Sequence, residues 1–299
     1  MERILDPARI EAFAQRSIAR VRLPDAAQLF GQRAARLRLL AAAPGQGIGD
    51  YLSLMATVAQ AQHAASADLK GLAAGASAAR GGSVVPPPAA EWRPVLEQVA
   101  GTIAGSPDLP AGVREVCARL RASGTEDLEA QAACLLGTQA RARDAAAAPF
   151  LMSALQVCWT RRAGLLTATA VGTAIAGGCP VCGTLPVAST VRVDHGSQGY
   201  RYLHCPLCAT EWHMVRVLCT QCQADKGISY HSIEGGAPAI RAEACDNCRS
   251  YRKIFYQEQD MGVEPVADDL ASLTLDLLMS EAGYHRASGN PLLWQRPDA

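Results

Sequence analysis

Apolar residues in the first half of the chain recur with a helical period. Ala26, Leu29, Phe30, Ala34 and Leu37 share one face of a helix, and Leu54, Val58 and Ala61 do the same after Asp50. Asp6-Pro7 and Asp25 suit helix starts, because an aspartate side chain caps orphan amides and proline fits the first turn. The pattern predicts an all-helical domain over residues 1–176. Gly81-Gly82 and Pro86-Pro87-Pro88 interrupt it, so residues 71–90 read as a long loop between helical halves. The stretch from Ala163 to Gly178 follows Arg161 and Arg162, is short of a bilayer span and is diluted by Thr and Gly. It is expected to be a buried helix.

The period changes at Gly177-Gly178. Val187, Ser189, Val191 and Val193 alternate as a strand does, and Gly196 to Gly199 then supply a turn. Gly235-Gly236 supply a second turn further on. Past Pro265, Val266, Leu270, Leu273 and Leu277 return to helical spacing, and Gly283 suits a left-handed cap. The predicted fold is mainly α. An N-terminal helical bundle is followed by two tandem rubredoxin-like or zinc-ribbon β modules, over 177–218 and 219–262, and by a C-terminal helix and tail over 263–299.

Composition sharpens this. The 299 residues carry a formal net charge of zero and eleven cysteines. The N-terminus lacks the basic start and apolar stretch of a secretory signal, which points to the cytoplasm, where thiols stay reduced. Metal binding is therefore the leading account of the cysteines. Eight of them form four C-x-x-C pairs: Cys179 and Cys182, Cys205 and Cys208, Cys219 and Cys222, Cys245 and Cys248. Each position in the second half stands 40 residues after its counterpart, 179 to 219, 182 to 222, 205 to 245 and 208 to 248. Each half thus reads as pair, hairpin, pair. Two residues between cysteines let one knuckle aim both sulfurs at the same ion, and the hairpin brings a second knuckle opposite. Sequential pairing gives two four-thiolate sites; a cross-braced arrangement, first pair with third and second with fourth, is the alternative. Ribbons with small cores should depend on their metal, while the helical domain should keep a core of its own.

A four-sulfur site has no open position for water or substrate, so these sites should hold shape or carry an electron. Tetrahedral S₄ suits zinc and iron alike. Cys179-Pro-Val-Cys-Gly183 is a rubredoxin-type knuckle, and the other three lack its glycine. Thioredoxin-like chemistry fits poorly, since it needs one C-x-x-C opening a helix. Cys117, Cys134 and Cys158 lack knuckle partners and read as core residues. His204 and His213 could serve as ligands, but eight cysteines already complete two sites, and the two read as surface or interface histidines. Gly45, Gly47 and Gly49 resemble a phosphate loop only in composition and read as a connector. Between Gly178 and Met261, eight basic residues face eight acidic ones. Thiolates add negative charge, so nucleic acid is disfavoured.

The C-terminal part resembles a known family, the formate dehydrogenase accessory proteins called FdhE. The resemblance rests on Cys179-Pro-Val-Cys-Gly-Thr-Leu-Pro186, on Arg201-Tyr-Leu-His-Cys-Pro-Leu-Cys208 with Glu211-Trp212-His213 and Arg216, on Ala242-Glu-Ala-Cys-Asp-Asn-Cys248 with Tyr251 and Lys253, and on Ala267-Asp-Asp-Leu-Ala-Ser-Leu273. It implies a cytoplasmic, non-catalytic maturation factor that binds the catalytic subunit of respiratory formate dehydrogenase before export. It also implies that all eight knuckle cysteines are metal ligands for two ions per chain, with iron favoured in a rubredoxin-like way and zinc the alternative. Electron transfer to the client's metal centres, or a zinc-ribbon interaction or nucleic-acid-binding module, are the other readings. Trp212, Tyr251 and Tyr256 are candidate client anchors, with packing over their own ribbon as the plainer role. Asp268 and Asp269 are candidate contacts, or simply acids that offset a helix dipole. No membrane insertion is expected, and a homodimer is the oligomer to test for.

Overall fold

The computed structural model describes residues 18–43, 47–69, 87–137, 144–172, 177–193 and 199–293. Asp6-Pro7, Gly45, Gly196 and most of the 71–90 loop lie outside these residues.

A two-residue strand, β1 (Val21–Arg22), leads into α1 (Leu29–Ala41) and α2 (Gly49–Asp68). The main-chain carbonyl of Asp25 accepts the amides of Gln28 and Leu29, and its side chain accepts that of Ala27, so this aspartate does start the first helical turn. Phe30, Ala34 and Leu37 are buried as their spacing predicted, and α1 packs along α2. Four helices follow: α3 (Ala89–Ala104), α4 (Ala111–Ala122), α5 (Thr125–Leu136) and α6 (Ala148–Gly164). From Ala148 to Thr160 every side chain of α6 is buried, which places this helix at the centre, against α2, α3 and α5. The buried helix expected over 163–178 is not found among the described residues of that stretch. The α6 helix stops at Gly164, and Leu165 is exposed. Among the described residues no helix is long and apolar enough to cross a membrane.

The β region departs from the expectation of two separate modules. Strands β2 (Ala188–Val191), β3 (Arg201–His204) and β4 (Glu211–Met214) form the first half; β5 (Ile228–His231), β6 (Ile240–Cys245) and β7 (Ser250–Tyr256) form the second. Each half is an antiparallel three-stranded unit, and the two join edge to edge through a parallel pairing of β2 with β7, Thr190 opposite Phe255. The result is one sheet in the order β1-β4-β3-β2-β7-β6-β5. The strand β2 is buried on both faces because it is central.

The single C-terminal helix is also corrected. It is broken at Ser272 into α7 (Pro265–Ala271) and α8 (Leu273–Glu281), with Ser272 Oγ turned back to the Asp268 carbonyl. The break shifts the apolar face, so Leu275 and Met279 are buried while Leu277 is exposed. Gly283 adopts the left-handed cap conformation predicted for it. A last short strand, β8 (His285–Arg286), runs parallel to β7. The α7 helix lies against α1 and β2, clamped by Arg33 to Glu264 at 2.9 Å and by Arg36 to Asp268 at 2.6 Å. Helices and sheet therefore share one core. Phe30, Trp92 and Leu155 belong to the same buried cluster as Leu203, Trp212 and Phe255.

Candidate metal centres

Each knuckle is built by a backbone turn. In three of the four the amide of the residue after the second cysteine bonds the carbonyl of the first: Gly183 to Cys179 at 2.8 Å, Ala209 to Cys205 at 3.1 Å, Gln223 to Cys219 at 3.1 Å. That residue must take a positive φ. Gly183 does so at 82°, and Ala209, Gln223 and Arg249 do so at 56°, 62° and 56°. The missing glycines of the last three knuckles thus change the residue and leave the turn intact.

The turns place Cys179, Cys182, Cys205 and Cys208 in one group and Cys219, Cys222, Cys245 and Cys248 in another, with the ligand atoms of each group within 4.8 Å of one another. Pairing is sequential, and the cross-braced alternative is not what the fold adopts. Sulfurs of the first group approach to 3.4 and 3.5 Å, and of the second to 3.7 Å. Four sulfurs set tetrahedrally at about 2.3 Å from one ion stand about 3.8 Å apart, whereas a disulfide is about 2.05 Å long. The geometry therefore fits two tetrathiolate ions.

The two quartets sit in different surroundings. Cys182, Cys205 and Cys208 are fully buried and Cys179 nearly so, while Cys222 and Cys248 are only half-buried. The hydroxyls of Thr184 and Thr210 lie 3.3 and 3.1 Å from Cys182 and Cys208. In the second group Ser250 Oγ lies 3.0 Å from Cys248, and the Asn247 amide donates to Cys222 at 3.4 Å. That amide, helped by the Ala224 backbone, pulls the Cys222 thiol down to about 6, so it is ionised at neutral pH. Burial and neighbouring sulfurs push the Cys205 and Cys208 thiols well up. Without a cation, four thiolates cannot share so dry a site; an ion must displace the protons.

Several expected roles fail on burial. His204 is buried, its Nδ1 3.3 Å from Glu211, and is no surface residue. His213 is half-buried, edge-on to Tyr200 and Tyr202. Trp212 and Tyr251 are buried in their own sheet, the latter donating to Asp276, which is the plainer packing role; Tyr256 is half-buried with Arg241 over its ring. Asp268 and Asp269 are fully buried. Asp268 pairs with Arg36, and Asp269 pairs with Arg286 and Lys253 and accepts from Asn290. Cys117 and Cys158 are core residues, with burial raising both thiols to about 12, whereas Cys134 is half-buried.

Buried charge around the sheet is what the linear reading missed. Arg201, Glu243, Arg252 and Lys253 belong to the balanced charge count over residues 178–261, and all four are buried. Arg252 has no carboxylate within ion-pair distance among the described residues. It donates to Thr220 Oγ1 at 3.0 Å, to Ser288 Oγ at 2.7 Å and to the Pro186 carbonyl. The internal repeat carried a signal for this. Leu203 and Trp212, a cross-strand pair in the first half, align 40 positions on with Glu243 and Arg252, a cross-strand pair in the second.

Family models described as FdhE N-terminal, FdhE central domain and FdhE C-terminal domain match residues 18–174, 178–216 and 217–293. The chain belongs to the FdhE family. A Protein FdhE homolog of Edwardsiella ictaluri is 41% identical over 295 residues, covering 93% of this chain and 92% of that protein. Protein FdhE of Escherichia coli K12 is 38% identical over 281 residues, covering 91% and 90%. The crystal structure of the FdhE protein from Pseudomonas aeruginosa is similar with a TM-score of 0.79 and 36% identity, covering 92% of this chain and 98% of that one. FdhE membership extends the C-terminal resemblance through the helical part, where the sequence offered no motif to match residue by residue.

Proposed function

We propose that this FdhE-family chain is a cytoplasmic accessory factor without turnover of its own. In this reading it binds the catalytic subunit of a respiratory formate dehydrogenase before export, with one metal ion in each quartet of cysteines. The observation that carries it is the pair of closed tetrathiolate geometries: all four positions of each site are taken by protein sulfur, which suits holding shape or passing an electron and leaves no place for substrate on the ion. Iron is the favoured ion by family, with zinc as the alternative. Neutral charge over the sheet region supports a protein client over nucleic acid.

The test is capture of the catalytic subunit by tagged chain, wild type against Cys205→Ser/Cys208→Ser, with metal content, helical circular dichroism and cellular formate dehydrogenase activity read together. Loss of metal, capture and activity in a chain that stays folded is the expected result. A folded, metal-depleted variant that still captured client and supported full activity would place the client surface elsewhere. Metal analysis of the captured complex separates iron from zinc, and sedimentation checks for a homodimer.

A further inference from the structure

The repeat makes the two quartets chemically equal, yet their surroundings are opposite. In the first half the residues between the cysteines are Pro180-Val181 and Pro206-Leu207, and Val181 and Leu207 are buried. Forty positions on stand Thr220-Gln221 and Asp246-Asn247, of which only Thr220 is buried. The first quartet belongs to the main core of the protein. The central helix α6 closes over it, with Gln156 Nε2 donating to the Pro206 carbonyl at 2.7 Å. The second quartet is outside that core, and Cys222 and Cys248 face solvent in part.

We infer that the two centres differ in lability: the second quartet releases and takes up its metal through its exposed rim, while the first keeps its metal for as long as the core stays packed. The inference rests on the reading that both quartets hold metal. Exchange at a four-coordinate ion requires a competing ligand to reach the ion or a sulfur. At Cys222 and Cys248 that approach is open in the native fold. At the first quartet it requires local unfolding of α6 or of the knuckles flanking β2 and β3, which belong to the main buried core.

The experiment uses the full chain loaded with two equivalents of zinc(II) and mixed with excess 4-(2-pyridylazo)resorcinol, while iodoacetamide traps freed thiols for peptide mass spectrometry. Two phases of equal amplitude are expected. Cysteines alkylated during the fast phase should be Cys219, Cys222, Cys245 and Cys248, and Cys222→Ser should remove the fast phase while leaving the slow one unchanged. Release in a single phase, or early alkylation at Cys179, Cys182, Cys205 or Cys208, would overturn the inference and leave metal binding intact. A chain that bound no zinc at all would overturn the metal reading together with it.

Discussion

Arg201 Nη2 lies 2.6 Å from Glu243 Oε1, and both side chains are buried. The pair joins β3 of the first repeat to β6 of the second. The same guanidinium also donates through Nη1 to the Leu218 carbonyl, at 3.2 Å, in the connection between the halves. By the 40-residue offset these two positions correspond to Arg241 and Leu203, so the pair has no counterpart within either repeat. Each half supplies its own four sulfurs, but a buried ion pair ties the two folds together.

Breaking this pair should therefore be costly. Arg201→Met or Glu243→Leu alone leaves a buried charge without its partner, and each should lower stability by about 3–5 kcal/mol. The double variant Arg201→Met/Glu243→Leu should lose clearly less than the sum of single-site losses. Urea denaturation of the four proteins reads the coupling, and strict additivity would show that the pair is not energetically linked.

Stripping the metal should affect more than the sheet. The sequence led us to expect a helical domain with a separate core, but Cys179, Cys182, Cys205 and Cys208 share one cluster with Trp92, Val99 and Leu155. Removal of one ion from the exposed quartet should leave helical circular dichroism unchanged. Removal of both should lower the thermal midpoint of the helical signal. A helical transition identical in loaded and fully stripped protein would contradict this coupling.

Acid stability should depend on Glu211. Burial alone would raise its carboxyl, but Arg192 and His204 override it and hold the group down at about 2, against an ordinary 4.5. A depressed folded value means that the stabilisation is fully present above the ordinary value and is lost as pH falls from about 4.5 toward 2. A shift of this size corresponds to roughly 3 kcal/mol. Glu211→Gln should thus be less stable than wild type at pH 7, and the gap should close on acidification through that window. Parallel stability curves down to pH 2 would rule this out.

The knuckle turns make a prediction of opposite sign. Gln223 is exposed and holds a φ of 62°. A side chain at this φ costs about 1–2 kcal/mol, partly offset because glycine gives up more entropy on folding. Gln223→Gly should stabilise the metal-loaded protein by about 0.5 kcal/mol, and Gln223→Val should destabilise it. Thermal midpoints with metal content matched give the answer, and an unchanged or lowered midpoint for the glycine variant would count against strain at this turn.

The sequence by itself determined the candidate ligands and favoured their sequential grouping. Cysteine spacing is a local property: two intervening residues close a knuckle, and an unbroken 40-residue offset makes each half supply four sulfurs within its own span. Helical periodicity likewise placed α1 and α2 through Phe30, Ala34, Leu37 and Val58, because a helix face follows from spacing alone. Tertiary structure decided how the equal halves came to differ. Strand β2 can pair with β7 only after both halves exist, and the helices cover the face bearing Leu203 and Trp212 while Glu243 and Arg252 occupy the matching place in the other half. Burial of Asp268, Asp269 and Lys253 follows from chain segments far apart in sequence meeting in one core. No pattern within a single segment encodes which of its charged residues such a meeting will enclose.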